Sequence, residues 1–301
     1  MTTEEMLRTR AWEVAESPAD LGYRNIPDWG TLPHDWRLGQ VAGVEIDSED
    51  RVYMFHRGSD APPLICFDVA GKVLFSWDHI DFGRPHMVTC DADDNVWLVD
   101  DGAHVIYKLS PDGEVLSTLG VKGEVGSDGE HFDKPTDIAF NTRGEMYVSD
   151  GYGANMRVMK FDPDGEFMLD WGEPGEELGQ FILPHAICVD TAGLVYVADR
   201  NMWRVQVFDP DGKFLTVWKH IGRPSDLVHV SDGHFFVCDA PNARVTKVTA
   251  TGEVVGFFGE PGAGPGQMGG GNHGITFSSD GDIVLGNLGG RVQRFTRQPT
   301  E

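Results

Sequence analysis

The sequence predicts an all-β fold, a six-bladed β-propeller whose ring is closed by an outer strand from the N-terminal part of the chain. A unit of short alternating strands recurs six times from Val41 onward, at spacings of about 40 to 50 residues, the length of a four-stranded blade. The sixth copy stops after its third strand, while an unmatched outer strand, residues 23–30, precedes the first copy. We therefore expect residues 23–30 to complete the last blade and to cover edges that would otherwise invite aggregation.

Each copy consists of runs that alternate apolar and polar residues between Gly or Asp-Pro-Asp-Gly turns, as residues 179–212 show most clearly. The inner strands are predicted to begin at Val41, Pro85, Pro135, Pro184, Pro224 and Asn272. The second strands are predicted at residues 52–55, 96–99, 146–148, 195–197, 235–237 and 283–285. The third strands are predicted at residues 64–67, 105–109, 158–161, 205–208, 245–248 and 292–295.

One propeller domain is predicted over residues 21–301, preceded by a polar arm, residues 1–20, in which residues 4–16 are weakly helical. The chain has 24 Lys and Arg against 48 Asp and Glu, a formal net charge of −24. Because a polyanion repels phosphate backbones and anionic lipid, we expect neither nucleic acid nor membrane as a partner.

The four cysteines, Cys66, Cys90, Cys188 and Cys238, lie in or at the end of strand-like runs and form no CxxC pair. We expect them to be buried free thiols. The first ten residues contain no apolar signal core, and no apolar run approaches the roughly 20 residues of a membrane span. Together these features predict a cytoplasmic location.

Aligning the six copies places one residue of each inner strand at an equivalent position facing the channel. These residues are Ala42, His86, Thr136, His185, Ser225 and His273. Histidine alternates with small residues, so three imidazoles from every second blade are expected to converge on the axis. Three imidazoles and an open face are the ligand set of a catalytic zinc site, and iron or cobalt would also suit imidazole. The alternative is that these are polar core histidines, but three in one register favour a divalent metal.

The ends of the second strands lie beside this position and carry further candidate residues. Arg57 and Arg200 could clamp a carboxylate, because a guanidinium fork matches its geometry. Tyr152 lies between two glycines and could act as a base if nearby metal and guanidinium charge favour the phenolate. The alternative is that both arginines form surface salt bridges and that Tyr152 only packs. The expected partner is a small-molecule substrate, and the two arginines favour one that bears a carboxylate.

At these positions the sequence resembles the peptidyl-α-hydroxyglycine α-amidating lyases (peptidylamidoglycolate lyases), which are built on NHL-type repeats. The similarity runs from about residue 39 to residue 295 and is densest around Gly39-Gln-Val-Ala-Gly-Val, Phe55-His-Arg-Gly, Pro85-His, His131-Phe-Asp-Lys-Pro-Thr-Asp, Ser149-Asp-Gly-Tyr, Pro184-His and Ala198-Asp-Arg. The resemblance implies a zinc held by His86, His185 and His273. It also implies that Tyr152 is the catalytic tyrosine and that Arg57 and Arg200 are the functional arginines. The implied reaction breaks the C–N bond of an α-hydroxyglycine and releases an amide and glyoxylate.

The chain departs from this family at several positions. Asp133, Gly153, Tyr196 and Val207 occupy positions at which the family has cysteines, which agrees with a reducing compartment and a substrate other than secreted peptides.

Gly274 follows His273 where the family has a calcium-binding aspartate, so a structural Ca²⁺ is uncertain. Backbone oxygens of Val41 and Met87 would match its other ligands, and Asp137 or Asp226 could compensate. The Gly-rich run Gly262–Gly271 also departs from the family and could reshape the pocket.

Three functions follow as hypotheses. The first is a zinc-dependent lyase that cleaves the C–N bond of an N-(α-hydroxyalkyl) amide or related carbinolamine. The second is a metal-dependent hydrolase or lactonase, which would more often use calcium held by carboxylates and Asn than three histidines. The third is a non-catalytic NHL binding propeller, which a broken axial site would indicate. The sequence leaves the oligomeric state open.

Overall fold

The computed structural model describes residues 19–298, which form six β-sheets arranged around a central channel. Each inner strand contacts the inner strands of both neighbouring sheets, and the sixth contacts the first. The prediction of a six-bladed propeller is therefore confirmed, and all six inner strands begin at the predicted residues.

The strands follow the chain from the channel outward in every blade except the last. The inner strands are β3 (Val41–Ile46), β7 (Pro85–Cys90), β11 (Pro135–Phe140), β15 (Pro184–Val189), β19 (Pro224–His229) and β23 (Asn272–Phe277). The second strands are β4 (Val52–His56), β8 (Val96–Asp100), β12 (Met146–Asp150), β16 (Val195–Asp199), β20 (Phe235–Asp239) and β24 (Ile283–Asn287). The third strands are β5 (Leu64–Phe67), β9 (Val105–Leu109), β13 (Arg157–Phe161), β17 (Arg204–Phe208), β21 (Arg244–Val248) and β25 (Arg291–Arg297). The outer strands of blades one to five are β6 (Val73–Trp77), β10 (Val115–Leu119), β14 (Phe167–Trp171), β18 (Phe214–Trp218) and β22 (Val254–Phe258), and one 3₁₀ turn spans Arg200–Met202.

The N-terminal part of the described chain supplies two further strands. β2 (Tyr23–Asn25) pairs antiparallel with β25 and becomes the outer strand of blade six, which confirms the predicted closure of the ring. β2 is shorter than the predicted residues 23–30, because Pro27 cannot donate to a ladder and Asp28 has a φ of 58°. β1 (Ala19–Asp20) pairs parallel with β22 at the edge of blade five. The remainder of the predicted arm, with its weakly helical residues 4–16, lies outside the described residues.

Local sequence explains the turns between strands. In the turn after β5, Asp68 Oδ1 accepts the backbone N–H groups of Ala70 and Lys72, and Gly71 takes a φ of 84°. A short carboxylate thus replaces backbone acceptors, and glycine supplies the left-handed residue that reverses the chain. The same Asp-and-Gly turn recurs at Asp162–Gly165, Asp190–Gly193 and Asp209–Gly212.

The hydrophobic core is divided into six clusters, one between each pair of neighbouring blades. The large rings of Tyr53, Tyr147 and Tyr196 lie in three of these clusters and are almost fully buried. Because both faces of each sheet pack against a neighbour, the ring holds its inner strands at fixed distances from the axis.

A repeated carboxylate fixes the loops at one end of the channel. Asp199, at the end of β16, accepts the N–H groups of Ile182 and Leu183 in the loop before β15, the inner strand of the same blade, and pairs with Arg204 at 2.9 Å. Arg204 also donates to backbone carbonyls of residues 176, 177 and 180. Asp100, Asp150 and Asp239 take the same role in their blades. Buried and fully paired, these groups make the rim of the channel rigid.

Within residues 19–298 no helix is long and apolar enough to cross a membrane. All four cysteines are free; Cys66 and Cys238 are buried and Cys90 and Cys188 are half-buried.

Candidate metal centre and active site

His86, His185 and His273 lie together at the axis, as predicted. All three are buried, their rings are 4.8 to 5.0 Å apart between centroids, and one ring nitrogen of each lies within 4.8 Å of the others. Among residues 19–298 they form the one group of His, Cys, Asp or Glu side chains that is large and close enough to hold an ion.

A break in the strand ladder directs these side chains to the axis. In every blade the pairing between the inner and second strands shifts register at the axial residue, for example between Pro184 and Ala186 in blade four. A bulge of this kind turns the side chain of the extra residue away from the regular pleat.

The small axial residues of the other three blades orient the imidazoles. Nδ1 of each histidine donates to the backbone carbonyl of the axial residue in the next blade. The three bonds are His86 to Thr136 at 2.5 Å, His185 to Ser225 at 2.6 Å and His273 to Ala42 at 2.6 Å. Since a carbonyl can only accept, each Nδ1 carries the proton and each Nε2 presents its lone pair. This carbonyl-oriented tautomer is the usual arrangement of metal-binding histidines.

The three histidines are also held in the neutral form that metal binding requires. Burial lowers the pKa of His86 and of His185 well below the ordinary value, and the neighbouring His273 adds to the effect. Burial, together with Arg57 and Arg200, lowers the pKa of His273 to about 3. Nε2 of His86 and Nε2 of His273 are buried and have no hydrogen-bond partner among the described residues. A buried lone pair without a donor fits a metal ion better than it fits a packed core.

Tyr152 lies directly beside this cluster. Its hydroxyl donates to Nε2 of His185 at 2.8 Å and accepts from Nη1 of Arg200 at 3.3 Å. The lone pair on Nε2 of His185 can accept from the phenol or bind an ion, but not both. If the three histidines held an ion, the Tyr152 hydroxyl would lose this acceptor and remain at the edge of the site. The flanking glycines are needed for this approach, since a Cβ on Gly151 would clash with the carbonyl of Pro184 and one on Gly153 with the carboxylate of Asp133.

Both predicted arginines reach the same channel mouth. Nε of Arg57 donates to the carbonyl of Pro85 at 2.7 Å and its Nη1 to Gln40 at 3.1 Å, while Nη2 is buried without a partner. Nε of Arg200 is likewise buried and unpartnered within the described chain. Neither guanidinium forms a salt bridge among residues 19–298, so the alternative of surface ion pairs does not apply to them. Their free N–H groups can donate to an anionic group.

Three further charged residues at this mouth were missed by the sequence analysis. Arg84 lies over the Tyr152 ring, 5.2 Å from its centroid, and pairs with the buried Asp101 at 2.5 Å. Arg223 reaches Asn201 at 2.7 Å, and burial followed by the charge of Arg200 lowers its pKa. Burial raises the pKa of Asp101 to about 6 against the opposing effect of Arg84.

Comparing equivalent positions in the six copies of the repeat could have identified all three residues. Arg84 and Arg223 directly precede inner strands, as Gln40 does, and Asp101 directly follows a second strand, as Arg57 and Arg200 do. The mouth therefore combines four arginines with one buried carboxylate in a chain whose net charge is −24. A concentration of positive charge in an acidic protein marks a site for an anionic ligand.

The structure offers little support for a calcium at the position in doubt. Both oxygens of Asp137 already accept backbone N–H groups, from Ile138 at 2.8 Å and Ile187 at 2.9 Å. Both oxygens of Asp226 likewise accept from Leu227 and Ile275 at 2.8 Å. These carboxylates link neighbouring blades through those bonds.

The four cysteine positions of the resembling family form two contacting pairs here. Asp133 lies against Gly153. Its Oδ2 accepts the N–H of Ala154 at 2.6 Å and so holds the loop that carries Tyr152. Tyr196 and Val207 are cross-strand partners in blade four. The four positions at which the resembling family has cysteines are thus neighbours in pairs.

Comparison with known proteins supports the same resemblance. The NHL repeat family model matches residues 181–208, which form most of blade four. The chain is 33% identical over 204 residues to peptidyl-alpha-hydroxyglycine alpha-amidating lyase 1 of Drosophila melanogaster, covering 56% of this chain and 37% of that protein. It is 32% identical over 206 residues to peptidyl-glycine alpha-amidating monooxygenase B of Xenopus laevis, covering 57% and 23%. NHL repeat-containing protein 3 of Homo sapiens is 30% identical over 213 residues, covering 66% and 60%. The matched part is about a quarter of the monooxygenases' own length and between about a third and two thirds of the other two proteins.

Solved structures share the fold at low sequence identity. Virginiamycin B lyase from Staphylococcus aureus superposes with a TM-score of 0.63 at 12% identity, covering 91% of this chain and 98% of that chain. A gluconolactonase from Xanthomonas campestris superposes with a TM-score of 0.63 at 14% identity, covering 88% of each chain. At this identity the likeness extends to the fold alone. The resemblance to the α-amidating lyases, by contrast, is confirmed by sequence.

Proposed function

We propose that this chain is a metal-dependent lyase that cleaves the C–N bond of an α-hydroxyglycine-like amide to an amide and glyoxylate. The observation that carries the proposal is the set of three neutral imidazoles, with one ring nitrogen of each within 4.8 Å of the others, beside a phenol and two guanidinium groups that each keep a donor without a partner in the described chain. The relatives named as α-amidating lyases support the same reaction class.

His86, His185 and His273 would hold the metal through Nε2, with zinc as the first expectation because three imidazoles and an open face suit it. When bound, a divalent ion supplies Lewis acidity toward the substrate hydroxyl oxygen. We assign no Ca²⁺ to the chain.

The protein's own residues carry the proton and the charge. Tyr152 acts as the phenolate, its own proton having passed to solvent. It takes the proton of the substrate hydroxyl, and the electrons of that O–H bond form the carbonyl as the C–N bond breaks. The departing nitrogen takes up the proton from Tyr152, so the reaction balances without water. Arg200, 3.3 Å from the phenol oxygen, stabilises the phenolate before the proton is taken up and after it is passed on. Arg57, with its unpartnered Nη2, binds the substrate carboxylate.

A hydrolase or lactonase has less support, because the axial ligands are imidazoles and the carboxylates of the channel are engaged by backbone N–H groups. A binding propeller without chemistry does not account for two buried imidazole lone pairs without a partner beside a phenol.

Metal analysis of the purified protein beside a His185→Ala variant tests the centre. We expect about one divalent ion per chain in the wild type, a loss of most of it in His185→Ala, and glyoxylate release from α-hydroxyhippurate that chelation abolishes. His229→Ala, a histidine at the far end of β19, is the matched control and should retain the ion. Full metal content in His185→Ala would show that the assigned ligands are wrong.

A further inference from the structure

A second concave surface adjoins the channel mouth. It is a cleft of about 810 Å³ between blades one and two, walled by the loops of residues 56–63 and 78–85. Arg57, Arg84 and Pro85 belong both to this cleft and to the mouth. A molecule bound at the histidines can therefore extend into the cleft without leaving the protein surface.

The walls of the cleft are fixed before anything binds. His56 accepts the N–H groups of Gly39 and Gly58 on Nδ1 and donates from Nε2 to the carbonyl of Pro62 at 2.9 Å. On the opposite wall, Asp100 accepts the N–H groups of Gly83 and Arg84. A preformed cleft of this size can take a group of several heavy atoms without an ordering penalty.

The lining combines an apolar floor with an acidic rim. The apolar side chains are Ala61, Pro62, Pro63, Ile80 and Phe82, and the exposed carboxylates are Asp60, Asp78 and Asp81. Phe82 is held edge-on by Phe55 and Tyr107, with centroids 4.9 and 5.7 Å away. Such a surface favours an apolar group and repels a negative one, whereas the adjoining arginines favour a carboxylate.

We propose that this cleft is the acyl-group subsite and that the substrates are N-acyl-α-hydroxyglycines with a neutral, apolar acyl group, such as an aromatic one. The inference rests on the proposed function. The arginines bind the carboxylate at the mouth, and the acyl group on the nitrogen lies between the two loops. An acidic acyl group is rejected by the carboxylates at the rim.

Binding of uncleavable analogues tests the subsite separately from catalysis. N-benzoylglycine and N-acetylglycine both lack the hydroxyl, so their affinities, measured by calorimetry, do not depend on turnover. We expect the benzoyl compound to bind at least tenfold more tightly to the wild type, and Ala61→Trp, which fills the cleft, to abolish that ratio. Ser59→Trp, at an exposed position of the same wall, is a second variant in case Ala61→Trp fails to fold. Ala250→Trp, on the exposed turn after β21, should leave the ratio unchanged.

Equal affinities in the wild type, or a ratio that survives both cleft variants, would overturn the subsite. Glyoxylate release from α-hydroxyhippurate is measured on the same samples. If the binding ratio behaves as expected and no glyoxylate forms, the lyase proposal fails while the subsite is retained.

Discussion

At the scale of single residues, the axial site depends on which atom of each side chain is free. The backbone carbonyls of Ala42, Thr136 and Ser225 hold the three Nδ1 protons, so the Nε2 lone pairs converge. Tyr152 contacts one of these lone pairs and one guanidinium, and this position is the basis for proposing the phenol as the base.

Tyr152→Phe should lower kcat/KM for α-hydroxyhippurate by about 10²- to 10⁴-fold, the usual contribution of a positioned general base. Metal content should remain that of the wild type, because the three imidazoles are untouched. Tyr107→Phe, whose hydroxyl has no partner among the described residues, is the matched control and should leave the rate unchanged. Unchanged turnover in Tyr152→Phe would remove the phenol from the mechanism.

At the scale of elements, the rim loops of blades three, four and five are each held by a buried ion pair between the end of the second strand and the start of the third. In blade four the pair is Asp199 and Arg204, and it fixes the loop that leads to His185. Asp150 with Arg157 and Asp239 with Arg244 repeat the arrangement. The placement of the three-histidine cluster therefore depends on hydrogen bonds about one strand away from it.

Arg204→Met should lower the free energy of unfolding by about 3–5 kcal/mol, since it leaves the buried Asp199 carboxylate without its partner. Arg143→Met is the control, because its ion pair with Glu145 involves an exposed guanidinium, and it should cost less than about 1 kcal/mol. Urea unfolding of the two variants compares them directly. A similar loss in both would mean that the buried pair has no special role.

At the scale of the whole molecule, the two ends of the channel differ in charge. Arginines surround one end, whereas Glu45, Asp137 and Asp226 line a cavity of about 220 Å³ toward the other end. Burial raises the pKa of Glu45 and of Asp137 to about 7 and raises that of Asp226 well above its usual range. Ionising these carboxyls in the folded state therefore costs stability.

Glu45→Gln should stabilise the protein in a pH-dependent way. Because the folded pKa of Glu45 lies above the unfolded one, the folded state binds the extra proton between about pH 4.5 and 7, and the wild type loses stability as pH rises through this window. The amide keeps an oxygen to accept from Thr276 and Ile46. We expect no difference from the wild type at pH 4 and a gain of up to about 3 kcal/mol at pH 8.

Thermal or urea unfolding at both pH values measures this difference. A gain of the same size at pH 4 would show that the substitution acts through packing and not through the charge of Glu45.

Local patterns in the chain were enough to specify the blades and the three histidines. The alternation of apolar residues and the Asp-and-Gly turns act over four to ten residues, so they are readable without the fold, and the inner strands begin at Val41 through Asn272 as predicted. Aligning the repeated blades then places His86, His185 and His273 at equivalent positions of their inner strands, and the three lie together in the structure.

The parts that could not be read from the chain depend on distances across the ring. The Nδ1 bonds join residues 40 to 231 positions apart, and the contact of Arg84 with Tyr152 joins blades two and three. The cleft between blades one and two likewise exists only where two loops from different parts of the chain come together. Strand periodicity reports the direction of a side chain relative to its own sheet, whereas proton position, free donors and the shape of a cavity follow from how neighbouring blades pack.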